Sequence, residues 1–74
     1  MKVKIMSLER TIFEGKAQSV VVPSRAGEIT ILEDHAPLLT LLAKGEILID
    51  NKRKIEVSEG ILYCVDNNLI ILVK

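Results

Sequence analysis

The sequence predicts an all-β chain, an antiparallel sandwich or barrel, and three observations lead there. Apolar residues recur with a period of two, as in Val3 and Ile5, Ile29 and Ile31, Ile47 and Ile49, and Ile55 and Val57, so each run turns one side inward and one outward. Residues that favour turns interrupt these runs at short intervals, which is the rhythm of a small antiparallel fold. The runs themselves are rich in valine and isoleucine, whose branched Cβ suits a pleated backbone.

Taken in order, Lys2 to Met6 alternates lysine with Val3 and Ile5 and reads as a strand with one wet side. Glu9 and Arg10 make a polar connection to Thr11-Ile12-Phe13. Gly15 breaks that run before Gln18-Ser19-Val20-Val21-Val22 rebuilds it, and Pro23 ends the stretch. Residues 24–27 carry turn chemistry, after which Glu28-Ile29-Thr30-Ile31 alternates again. Asp50-Asn51-Lys52-Arg53 is the polar tip of a hairpin, and Asp66-Asn67-Asn68 is the turn of another between residues 61–65 and 69–73. Residues 34–45 resist the scheme. Asp34 can cap a helix, Pro37 suits its first turn, and Leu38, Leu41 and Leu42 fall at i, i+3 and i+4, so periodicity alone predicts a short helix there.

At 74 residues the chain is one domain with a thin core, able to bury roughly 60% of its unfolded surface. No linker, repeat or low-complexity segment divides it. Ten basic and ten acidic residues cancel, which removes the net field that nucleic acid or an acidic membrane would need. Phe13 and Tyr63 are the only aromatic residues, too few to stack bases or sugars. Nucleic acid is therefore not an expected partner. The single cysteine, Cys64, has no partner for a disulfide and no neighbouring cation to hold a thiolate. No apolar stretch approaches the roughly 20 residues of a spanning helix, and the start alternates lysine with apolar residues instead of leading into a signal core. These features predict a reducing, cytoplasm-like compartment.

The obvious candidate for chemistry is His35 with Glu28, Glu33 and Asp34. Catalysis needs convergent groups, whereas side chains in one short loop diverge, so the alternatives are a solvated loop histidine or a polar contact at a subunit interface. Zinc needs three or four ligands, and His35 and Cys64 are the only nitrogen or sulfur donors of that kind. Ser7, Ser19, Ser24 and Ser58 lack a nucleophile elbow, and no glycine-rich loop precedes a helix. No metal or cofactor is expected. A small hydrolase is the weakest reading.

One pattern points outward. Val20-Val21-Val22, Ile47-Leu48-Ile49 and residues 69–73 are apolar on both sides, where an isolated sandwich would be polar outside. Either bends and bulges turn some of these residues inward, or an apolar outer face awaits another subunit. The second reading takes Val20, Val22, Leu48, Ile70 and Leu72 as interface candidates.

The order of motifs resembles one family. Residues 9–15 (ERTIFEG), 19–23 (SVVVP), Gly27-Glu28, Ile31-Leu32, 35–40 (HAPLLT), Gly45, Val57-Ser58 and 60–62 (GIL) are similar, over essentially the whole chain, to the N-terminal β domain of F-type ATP synthase epsilon subunits. The His-Ala-Pro-Leu-Leu run followed by Gly45 is the most specific part. The resemblance implies a flattened sandwich of about ten short strands, and so moves residues 38–43 from helix to strand. It implies a non-catalytic subunit at the foot of the rotating central stalk, gripping the gamma subunit and resting on the polar loops of the c-ring. It would couple proton- or sodium-driven rotation to ATP synthesis, peripheral to the cytoplasmic face of the inner (plasma) membrane. Glu28 and His35 match ring-facing positions, with Glu33 and Asp34 beside them, and the apolar outer face becomes the gamma-binding surface. The family commonly has glycine at Thr30, a Pro-Gly type turn at Glu33-Asp34, Gly-Gly at Glu59-Gly60 and an acid at Tyr63. The helical hairpin that brakes ATP hydrolysis in the family, and binds ATP in some members, has no counterpart here, so neither property is expected. The alternative is a free-standing small β-barrel that binds a ligand or oligonucleotide.

Overall fold

The computed structural model describes residues 1–74 and contains nine strands and no helix. They are β1 (Lys2–Met6), β2 (Thr11–Lys16), β3 (Ser19–Ser24), β4 (Gly27–Leu32), β5 (Leu38–Leu42), β6 (Gly45–Ile49), β7 (Arg53–Val57), β8 (Gly60–Val65) and β9 (Asn68–Val73). The count is nine where the resemblance implied about ten. Residues 38–42 are strand, so the helix read from leucine spacing does not form.

The strands make one continuous sheet in the order β2-β1-β9-β8-β5-β3-β6-β7, with β4 paired to β3. The sheet curls so that β2-β1-β9-β8-β5 faces β4-β3-β6-β7 across the core. The two layers join where Ser24 pairs with Leu42, supported by Ala43 N–H to Pro23 O at 2.8 Å and Arg25 N–H to Leu41 O at 3.2 Å. All pairs are antiparallel except β1 with β9, which ties the first strand to the last.

Alternation decides what lies inside. Val3 and Ile5 of β1, Ile47 and Ile49 of β6, Leu62 and Cys64 of β8, and Leu69, Ile71 and Val73 of β9 share one apolar core, and the residues between them point outward. Val20 and Val22 are fully buried, at 0% exposure. They are core residues and cannot line an interface; a period of two puts them on the same side as each other, but only the pairing of β3 with β4 and β6 says which side that is. On the side where β2 and β7 are edge strands, Phe13 and Arg53 bring them together, the guanidinium 5.4 Å from the ring centroid.

Turn chemistry fixes one end of the sandwich. Asp34, Asp50, Asn51, Asp66 and Asn67 all take positive φ between 48° and 60°, a conformation that short polar side chains tolerate better than most. The Asp50-Asn51 and Asp66-Asn67 pairs are the tight hairpin turns whose twist matches the flanking strands. Gly60 meets a different need, since a Cβ there would collide with the Leu72 carbonyl oxygen across the β8–β9 ladder.

Candidate docking surface

The outward sides of the two layers differ in chemistry. Across the first layer the strand register aligns Leu39, Tyr63, Ile70, Lys4 and Glu14 in one row, and Leu41, Ile61, Leu72, Met6 and Thr11 in the next. The β5, β8 and β9 part of both rows is apolar and open to solvent, from Leu39 at 64% exposure to Ile61 at 37%. Six neighbouring large side chains on one side of a sheet are an apolar patch, not isolated surface hydrophobes. Tyr63 lies in the middle of it, between Leu39 and Ile70.

The second layer is different. Its outward positions include Glu28 and Thr30 of β4, Glu46 of β6, and Lys54 and Glu56 of β7, all exposed. Val21 and Leu48, paired with each other, are half-buried among them. Leu48 therefore faces away from Ile70 and Leu72, on the opposite side of the molecule. Of the five apolar interface candidates, two are core, one stands on the polar layer, and Ile70 and Leu72 share the apolar face. Leu39, Leu41, Ile61 and Tyr63 were not among the candidates. Their signal was present, because apolar residues alternate in β8 (Leu62, Cys64 inward; Ile61, Tyr63 outward), but β5 read as a helix and hid the other half of the patch.

The four polar candidates do not form one site. Glu28 lies at the start of β4, opposite Pro23, while Glu33 follows its far end, where Leu32 pairs with Ser19. Five residues of extended chain separate them by roughly 16 Å. Asp34 is held by Asn67 in the β8–β9 turn: its N–H donates to Asn67 Oδ1 at 2.6 Å and its carboxylate accepts from Asn67 Nδ2 at 2.7 Å. His35 Nδ1 lies 2.7 Å from the Ala36 carbonyl oxygen, which can only accept, so Nδ1 carries the proton. None of the three acids is bonded to the imidazole, and no general-acid or general-base pair is assembled. No group of three or more His, Cys, Asp and Glu side chains could hold a metal ion.

The end of the sandwich that carries these turns is an open polar bowl of about 1110 Å³, lined by Lys2, Lys16, Gln18, Glu33, Asp50 and Asn67 among others. It is broad and wet, unlike the apolar cleft of a small-molecule site. Within it Asp50 Oδ1 accepts from Gln18 N–H at 2.8 Å and Ser19 N–H at 3.0 Å. These bonds, first that from Ser19, hold its carboxyl below the usual value of 3.8. Desolvation raises the Cys64 thiol pKa, and the buried thiol is unpaired.

A family model described as the β-sandwich domain of the ATP synthase delta/epsilon chain matches residues 1–74. The chain belongs to this family. It is 42% identical over 71 residues to the ATP synthase epsilon chain of Endomicrobium trichonymphae, covering 92% of this chain and 51% of that one. It is 36% identical over 74 residues to the epsilon chain of Aquifex aeolicus, covering 97% and 56%. The chain thus spans about half the length of the curated relatives it matches. Its fold is shared with a chain of the Tetrahymena thermophila mitochondrial ATP synthase central stalk and c-ring, at TM-score 0.81 and 17% identity over 99% of this chain and 62% of that one. It is also shared with a chain of the Euglena gracilis mitochondrial ATP synthase assembly, at TM-score 0.83 and 17% identity over 96% and 48%.

Proposed function

We propose that the chain is a non-catalytic central-stalk component of a rotary ATP synthase, docked on the gamma subunit by the outer face of β5, β8 and β9. The observation that carries this reading is the contiguous apolar patch of Leu39, Leu41, Ile61, Tyr63, Ile70 and Leu72. Lasting interfaces resemble a core cut in half, and membership of the epsilon family supports gamma as the subunit that covers it. The sandwich is a stiff body, closed by fifteen buried apolar residues, and close packing resists deformation under torque. Its work is mechanical: it holds gamma in fixed register with the c-ring while the ring turns, and so couples proton or sodium flow to ATP synthesis from a peripheral position on the cytoplasmic face of the membrane.

The ring contact falls to Glu28. It is exposed on the layer that the apolar face does not occupy, so it stays free when gamma is bound. Glu33, Asp34 and His35 are the other ring-facing candidates, at the far end of β4, where Asp34 is clamped to the turn between β8 and β9 and His35 leads into β5. Polar contacts of this kind set register more than affinity.

Native mass measurement of the chain mixed with purified gamma tests the assignment. A stable one-to-one complex is expected; a chain that ignores gamma and pairs with itself through the apolar face would contradict it.

A further inference from the structure

The apolar face has one border that is strongly basic. The register that aligns Leu39, Tyr63 and Ile70 continues to Lys4, and the adjacent row brings Asn68, Lys2 and Lys16 side by side. Lys2 and Lys16 stand directly opposite each other in an antiparallel pair, an arrangement that works against folding. Lys4 stands opposite Glu14, yet the ion pair found in the chain is between Lys74 and Glu59. Three lysines therefore flank the patch on its β1 and β2 side with a single carboxylate, Glu14, among them, so this border carries a net positive charge. Net charge of zero hides this, because most of the compensating acids lie elsewhere, Glu28, Glu46 and Glu56 among them on the opposite layer.

We infer that the gamma surface received by this face carries carboxylates where it crosses β1 and β2, opposite Lys2, Lys4 and Lys16. The inference rests on the gamma-docking reading above. The apolar zone supplies grip and has no direction, since a flat patch accepts a complementary strip in more than one orientation. A row of lysines along β1 and β2 restricts that freedom: the partner lies with its acidic margin over β1, and the reversed orientation takes its carboxylates away from Lys2, Lys4 and Lys16 and over Leu39 and Leu41. An anionic lipid surface is the poorer occupant. It extends beyond the patch and would also meet Glu14 among the lysines and Asp66 in the neighbouring turn, whereas a shaped protein surface need not.

The test is the affinity of the chain for purified gamma across a salt series, with Lys2→Gln/Lys4→Gln/Lys16→Gln and Leu72→Glu variants whose folding is checked by circular dichroism. The lysine variant is expected to bind about tenfold or more weakly at low ionic strength and to converge with the parent chain at high salt, as screening predicts. Parent-like affinity and salt slope in the lysine variant, with binding lost in Leu72→Glu, would overturn the acidic margin and leave the docking face standing. Parent-like binding in both variants would overturn the docking face itself. Vesicles containing anionic lipid serve as a control: lysine-dependent vesicle binding with no change in gamma affinity would contradict the inference in favour of a membrane role.

Discussion

The outer sides of the two layers face the same water and are built on the same pleat, yet one is a contiguous apolar patch with a basic margin and the other mixes Glu28, Glu46 and Glu56 with Val21, Leu32 and Leu48. On the first, leucine, isoleucine and tyrosine occupy positions where a free-standing sheet would place polar side chains. On the second, Glu46 and Glu56 are direct neighbours across the β6–β7 ladder, a like-charge pair that costs a little stability. Stability alone did not choose these surfaces. A monomer would gain nothing from an exposed Leu39, and the proposed gamma contact gives that face a reason.

The largest effect separates core from face. Val22→Lys is expected to unfold the chain, because an unpaired charge at a fully buried position costs several kcal/mol; loss of the cooperative thermal transition would report it. Leu72→Glu, also in a strand but 47% exposed, should fold normally and lose gamma binding by at least about a hundredfold, as expected for a central contact. A Leu72→Glu chain that folds and binds as before would erase the distinction between the two faces.

The sequence carried much of this, and the failures have physical causes. Alternation marked β1, β4, β6 and β7, and the Asp50-Asn51 and Asp66-Asn67 turns were readable because asparagine and aspartate adopt positive φ. The β5 strand was readable only through the family resemblance. Its Leu38-Leu39 and Leu41-Leu42 pairs put apolar side chains on both sides of the strand, which erases the period of two and imitates a helical stripe. The feature that concealed the strand is the apolar outer face itself. Val20 and Val22 failed differently, since three consecutive valines reveal a strand but not which side is inside. The separation of Glu28 from His35 could not be read locally either, because it depends on β4 being extended along its full length beside β3.

Smaller effects test the polar layer and its turns. Glu56→Lys should relieve the repulsion with Glu46 and raise stability by about 0.2–1 kcal/mol, measured as a urea midpoint, with gamma affinity unchanged. If that substitution weakens gamma binding, the contact extends to the second layer. Asp50 gives a pH signature. Its folded-state pKa is depressed by the Ser19 and Gln18 N–H bonds, so it contributes stability above the ordinary carboxylate value that fades as pH falls below it. Asp50→Asn keeps the acceptor oxygen and loses the charge, and should flatten the acid limb of the urea midpoint against pH. His35→Ala removes one bond to the Ala36 carbonyl and is expected to leave the fold intact, with at most a few-fold change in gamma affinity.

Thiol protection separates the two outer faces. Single cysteines placed at Leu41 and Leu72 on the apolar face, and at Thr30 and Glu46 on the other, can be labelled with a maleimide before and after gamma is added; buried Cys64 contributes little background. Gamma should slow labelling at Leu41→Cys and Leu72→Cys while Thr30→Cys and Glu46→Cys react at unchanged rates. Protection at Thr30→Cys and Glu46→Cys, with the apolar face still reactive, would contradict the account.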